Sequence, residues 1–142
     1  MSVGWTEVIV DLSFEQLDLL VVASRLVCPA TGLDGPGVVG VRDGLIEFVE
    51  MGDGGSEYQA ARETLEVEDG ILLPGLIDLH AHPAASGSKF GIDADRDLLP
   101  KGSTTVLSQG DAGARNVDQY ISETIAGSRT TVKLALNFCA EG

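Results

Sequence analysis

The stretch Ile71-Leu72-Leu73-Pro74-Gly75-Leu76-Ile77-Asp78-Leu79-His80-Ala81-His82-Pro83 carries both histidines of the chain, two residues apart, at the end of an apolar run. Read as a strand, residues 76–82 alternate faces, so Asp78, His80 and His82 share one face and Ile77, Leu79 and Ala81 the other. The two imidazoles then stand roughly 6.5–7 Å apart at their Cα atoms, a spacing from which two ring nitrogens can meet on one metal ion. Imidazole suits zinc and its first-row neighbours. A bare His-x-His on a strand needs no ligand, and it is the flanks that favour a site. Pro74-Gly75 bends the chain sharply before the strand, and Pro83, with no N–H to donate, ends the ladder just after the second histidine.

Downstream of Pro83 the pattern becomes strand and helix in alternation, as in a parallel sheet or barrel. Residues 83–89 read as a small-residue loop and 93–99 as a short helix with acids near its start, closed by Pro100-Lys101-Gly102. Residues 103–108 form a second strand of barrel type, and 109–115 the loop at its C-terminal end. Asn116 is placed to cap a helix whose Val117, Tyr120, Ile121, Thr124 and Ile125 fall on one face, with Gly127 at its C-terminus. Residues 132–138 make a third strand, so three parallel strands stand against the eight of a closed barrel.

Upstream, residues 18–28 are an apolar run that reads as a buried strand ended by Pro29. Residues 31–37 look like a turn-rich connection. Asp43-Gly44 between two apolar runs, 38–41 and 45–50, is a strong hairpin signal, because both central residues must take positive φ. A polar, Gly-rich segment follows at 52–60; residues 63–68 then alternate as a half-buried strand should, and Asp69-Gly70 turns the chain. Residues 1–17 read as a leader in which Ser13 can cap a short turn. The expected fold class is therefore α/β: an incomplete (β/α)8 TIM barrel of about three strands at 73–142, preceded by a small β-sandwich-like unit at 18–72.

Composition narrows the function classes. The 142 residues include 22 acidic against 9 basic, a net charge of −13, with 44% hydrophobic and 22% charged residues. Such a chain folds around a core and offers no electrostatic footprint for nucleic acid or an anionic membrane. No basic segment precedes the N-terminal apolar residues, and acids interrupt them, so neither a secretory signal nor a membrane span fits, and the cytoplasm is the default. The acids are spread along the whole chain, which suits either a halophilic host or an ordinary acidic cytosolic protein. Cys28 and Cys139 show no CxxC spacing and read as small buried residues in reduced form.

The run Leu73-Pro74-Gly75-Leu76-Ile77-Asp78-Leu79-His80-Ala81-His82 closely resembles the first barrel strand of the amidohydrolase superfamily, whose members carry a PGLIDxHxH signature there. Gly91-Ile92-Asp93-Ala94-Asp95, Lys101-Gly102-Ser103-Thr104-Thr105-Val106 and Asp111-Ala112-Gly113-Ala114-Arg115-Asn116 resemble most its deacetylase branch, related to dihydroorotases and allantoinases. The resemblance runs from about Asp18 to the last residue and covers the N-terminal portion of such an enzyme. It implies that His80 and His82 ligate the more buried of two divalent metals, most often Zn2+. A carboxylated lysine on strand four, histidines on strands five and six and an aspartate on strand eight complete the family's site, and none of these positions falls within this chain. Where many relatives have an Asp-Ala-Gly-Ser type of turn after strand two, this chain has Ser108-Gln109-Gly110-Asp111.

The functional expectation is a metal-dependent hydrolase, deacetylase-like, that cleaves an N-acyl or ester bond of a small molecule with metal-activated water. A cyclic amidohydrolase of the dihydroorotase or allantoinase kind is the alternative. The third reading is a non-catalytic remnant that binds a complementary chain or self-associates through open strand edges. With the second metal site incomplete and the acid–base aspartate outside it, this fragment alone is expected to be inactive. Asp111 and Asn116 are the candidate substrate contacts, and Asp78 or Asp111 the candidate substitute ligands. Asp93, Asp95 and Arg96 read first as a solvated helix start.

Overall fold

The computed structural model describes residues 16–53, 61–86, 88 and 90–142. Residues 1–15 of the expected leader, with its Ser13 turn, most of the Gly-rich segment at 52–60, and Gly87 and Lys89 of the loop after Pro83 lie outside the described residues, whereas Leu17, expected as the leader's last residue, already belongs to the first strand. The chain divides into two compact units between Leu73 and Pro74.

In the first unit β1 (Leu17–Cys28), β2 (Leu33–Arg42), β3 (Leu45–Met51) and β4 (Ala61–Val67) form one sheet in the order β3-β2-β1-β4. The hairpin between β2 and β3 turns at Asp43 and Gly44, with φ of 51° and 74°, as the Asp-Gly pair demands. Leu20, Val38 and Leu17 centre its core, with Val22, Phe48 and Ala61 packed against them. Gly40 makes room for Phe48: a Cβ there would lie 2.3 Å from the ring.

Three expectations for this unit change. Residues 33–37 are strand rather than connection, because β1 runs long and pairs as far as Cys28 with Leu33. Pro36 is tolerated since it falls where the register shifts between Ala23 and Leu26, a bulge that asks no N–H of it. In place of a sandwich-like unit, the described residues form a single sheet whose edge strand β4 is parallel to β1. Among the described residues no second layer covers β4, which is exposed along its centre, Leu65 by 51%, and is not half-buried.

The second unit is a parallel sheet of β5 (Leu76–Ala81), β6 (Ser103–Gln109) and β7 (Thr131–Ala135), in that order. Parallel neighbours need crossovers, and both are helical. The first is a π-helical turn, Ala94–Leu98, continued by the 3-10 turn Leu99–Lys101; the second is Val117–Tyr120, continued by a π-helical turn, Ile121–Ile125. Ala94, Tyr120, Leu98, Val117 and Ile125 from these crossovers pack with Val106 and Val132 into one core on one face of the sheet. On β5, Ile77 and Leu79 are about two-thirds exposed. Ile121 also turns outward, because the Ala126 amide bonds the Ile121 carbonyl five residues back and widens the turn beyond the 3.6-residue period.

Local chemistry anchors these elements. Asp93 caps the first crossover, its carboxylate accepting from the Asp95 and Arg96 amides. Asp95 accepts from the amides of Arg129 and Thr130 and from the Thr130 hydroxyl, tying that crossover to the start of β7. Arg96 is paired with Asp97, so Asp93 and Arg96 stay at the helix start as expected, whereas Asp95 is half-buried against the start of β7 and is not a solvated helix-start acid. β7 ends at Ala135, short of Phe138, because the Asn137 amide turns aside to the Ala112 carbonyl and leaves Phe138 fully exposed. Cys139 follows it into solvent and is exposed rather than buried; Cys28 is half-buried, and both are free thiols.

Two predictions test this packing. A Cβ on Gly75 would lie 2.1 Å from the Thr104 Oγ1 and 2.8 Å from its Cβ, so Gly75→Ala should cost about 1–3 kcal/mol in chemical denaturation; an unchanged midpoint would refute that contact. The amides and hydroxyl that face Asp95 hold its carboxyl below the ordinary carboxylate range. Its contribution is thus present above the unfolded-state value and lost as pH falls through the lowered folded value. Asp95→Asn should therefore flatten the acid limb of a stability-against-pH curve below about pH 4.

Candidate functional site

The C-terminal ends of three parallel strands bring together His80 and His82, the 109–116 loop and the 136–142 segment. The local folding of β5 decides which side chains point where. Asp78 pairs with Val106 and Ala81 with Ser108, so three steps on β5 span two on β6, and Leu79 and His80 together face one partner. This is a β-bulge, and it resets the alternation. Asp78 moves to the face of the buried Val106 and Ser108, while His80 is exposed on the opposite side. Asp78 therefore does not share a face with the histidines, contrary to the simple alternation of the sequence. Its Oδ1 accepts the His80 amide at 2.9 Å, a two-residue turn that stabilises the bulge.

The two histidines stay together through the bulge. Their ring centroids are 5.5 Å apart with planes at 69°. His82 lies one residue beyond β5, where its backbone carbonyl accepts the Ile92 amide at 3.0 Å and Pro83 bridges Ile92. Among the described residues no group of three or more His, Cys, Asp or Glu side chains is disposed to hold a metal ion. As donors, then, the two imidazoles fit half of a four-coordinate zinc site. Neither Asp78 nor Asp111 converges with them as a substitute ligand.

Asp111 is committed elsewhere. It is 4% exposed, and its Oδ1 lies 3.0 Å from His82 Nδ1, while its Oδ2 accepts the hydroxyl of the fully buried Ser108. The Ser88 hydroxyl approaches Oδ1 at 3.5 Å. A buried carboxylate left without partners costs several kcal/mol, so this arrangement is bound into the fold. Tyr120 completes the buried layer: its hydroxyl donates to the Pro83 carbonyl, and burial pushes the phenol up, with the Asp111 charge adding to the rise.

Asn116 precedes the second crossover as expected, but its side chain makes no hydrogen bond onto the helix. Its Oδ1 accepts the Gly113 amide at 2.8 Å and closes the 113–116 turn. Gly113 is held on its other side, where an added Cβ would lie 2.2 Å from the Cys139 carbonyl. Sequence reading missed Ser108, Ser88 and Tyr120 as polar members of this cluster. The one local signal was Ser108 three residues before Asp111 at the mouth of β6; the pairing with His82, 29 residues away, had none.

No family model matches the chain. Over 98 residues it is 30% identical to a dihydroorotase of Chlorobaculum tepidum, covering 68% of this chain and 21% of that protein. Over 90 residues it is 31% identical to a deacetylase of Agrobacterium fabrum, covering 62% of this chain and 22% of that one. A crystal structure of a dihydroorotase superposes with a TM-score of 0.72 at 26% identity, over 88% of this chain and 32% of the other. The chain thus spans about a fifth of the length of these curated relatives.

The geometry makes a measurable demand on zinc. His80→Ala should lower zinc affinity by at least about tenfold in competition with a chromophoric chelator, whereas Asp78→Asn should leave it unchanged. Tight binding indifferent to His80 would eliminate the two-imidazole site. On its sequence relatives and its structural neighbours together, the chain belongs to the amidohydrolase superfamily.

Proposed function

We propose that the chain supplies the first three strands of a (β/α)8 barrel hydrolase that cleaves a carbon–nitrogen or ester bond with metal-activated water, the metal being a divalent ion, foremost Zn2+. His80 and His82 are two of its ligands. The observation that carries this reading is the pair of imidazoles, 5.5 Å apart, at the C-terminal mouth of the first of three parallel strands, the end at which barrel enzymes build their sites. A bound zinc ion lowers the pKa of its water and polarises the carbonyl under attack.

Within that class we favour a deacetylase acting on a small N-acyl or ester substrate, in line with the likeness to the Agrobacterium protein. The likeness to dihydroorotases, in sequence and in structure, supports the cyclic-amide alternative. Asp111 is buried and turned to His82, so in this reading it acts on a substrate through that imidazole, and Asn116, whose Oδ1 closes its own loop, through an atom that this bond leaves open. Two imidazoles are what this stretch contributes to a hydrolytic centre; in this proposal the remaining ligands and the acid–base aspartate come from later strands, on this or a complementary chain, and the fragment alone is inactive. The exposed Ile77 and Leu79 on β5 suit such a partner better than water. Among the described residues no helix is long and apolar enough to cross a membrane; a cytoplasmic site of action is part of the proposal.

The test is an assay of the zinc-loaded chain, alone and co-expressed with a polypeptide carrying the later strands, on a panel of N-acetyl amino acids and on dihydroorotate. No turnover is expected from the chain alone, and deacetylation from the pair. Ring opening by the pair would favour the cyclic reading, and turnover that survives His80→Ala with His82→Ala would end both.

A further inference from the structure

We propose that Asp111 is a positioning residue for His82: it holds the imidazole in the Nδ1–H tautomer, so that the Nε2 lone pair faces the metal, and the buried Ser108 and Tyr120 hold Asp111 and His82 in place. The inference rests on the reading of His82 as a ligand and deepens it.

An ionised carboxylate only accepts hydrogen bonds, whereas a neutral imidazole has one N–H and one bare nitrogen. Asp111 Oδ1 sits 3.0 Å from His82 Nδ1, so the proton of that contact belongs to Nδ1 and the lone pair to Nε2. The Ser108 hydroxyl spends its proton on the other oxygen, Oδ2, and the Ser88 hydroxyl at 3.5 Å approaches Oδ1. Both carboxylate oxygens are therefore occupied from inside the fold, and Asp111 is too deeply buried, at 4% exposure, to reach a substrate directly.

The backbone is held as firmly as the ring. The Tyr120 hydroxyl fixes the Pro83 carbonyl, and the Ile92 amide fixes the carbonyl of His82 itself. Position and tautomer of one imidazole are thus set by residues from four separate segments: the loop after β5, the end of β6, the loop after β6 and the second crossover. Among the described residues His80 has no such backing; its amide is bonded to Asp78, and its ring is exposed. The two histidines are consequently unequal: His82 is preorganised for a metal, and His80 is free to adjust to it. Metal-bound histidines commonly donate their second N–H to a carboxylate in this way, which raises the basicity of the ligating nitrogen.

The experiment uses the full chain, uniformly labelled with 15N and free of metal. Two-bond 1H–15N correlations report the tautomer of each ring, and chelator competition reports zinc affinity. His82 is expected as Nδ1–H in the wild type. In Asp111→Asn the amide can donate to Nδ1, so the ring should swing toward Nε2–H and zinc affinity should fall about 10- to 100-fold, with the His80 tautomer unmoved. Ser108→Ala, which keeps the carboxylate, should give a smaller change in the same direction. A wild-type His82 found as Nε2–H overturns the proposal, and that measurement needs no variant to fold. So does a folded Asp111→Asn whose His82 tautomer is unchanged. A tautomer that shifts while zinc affinity stays constant supports the hold of Asp111 on His82 and counts against His82 as a ligand, which separates this inference from the reading beneath it.

Discussion

The burial of one face of β6 is the constraint on which the second unit depends. β6 is the middle strand of a parallel sheet, and its Val106 and Ser108 are fully buried beneath the crossovers. Parallel strands cannot be joined by tight turns, so burying this face and making the connections are the same act. Val106 packs with Val132, Ala94 and Tyr120, and a buried aliphatic side chain of its size stabilises a fold by about 1.5–3 kcal/mol. Ser108, in the same row, puts a hydroxyl under the mouth of the sheet, and that hydroxyl needs a partner because it is cut off from water. Asp111 is the partner, three residues on.

The polar cluster at the mouth follows from that need. Asp111 cannot be buried on one serine alone, and His82 Nδ1 supplies the second hydrogen bond. Tyr120, drawn into the core by its ring, brings a hydroxyl that the Pro83 carbonyl satisfies. No buried side-chain polar atom among the described residues is left without a partner. The features that position an imidazole for chemistry are thus the features that make the layer beneath it affordable to bury.

Two irregularities in β5 and β6 adjust the histidines to this layer. Between Leu76 and Ile77 the extra residue is on β6, where Thr104 occupies space that only a glycine at position 75 leaves open. Between Asp78 and Ala81 the extra residue is on β5, and it turns Asp78 to the helix side while His80 stays on the other. A bulge beside a site that re-aims a side chain is a recurrent use of that irregularity.

How much of this was legible in the sequence divides by range. The apolar runs, the Asp43-Gly44 turn, the acids at the start of the first crossover and the alternation of strand and helix after Pro83 are local signals, and the strands stand close to where those signals put them. The Pro74-Gly75 start and the paired histidines of the superfamily signature were likewise written in one short run. The parallel pairing of β1 with β4, the single sheet of the first unit and the exposure of Cys139 were not, because pairing partners and covering layers are chosen by residues far apart in the chain. The same holds for the face of Asp78, which periodicity assigned by strict alternation and a bulge reversed. By itself the sequence determined the superfamily, the order of the elements and the two imidazoles at a strand end. Only the tertiary structure decided that Asp111 serves His82 rather than open space, because a hydrogen bond across 29 residues depends on burial, and burial is a property of the packed sheet.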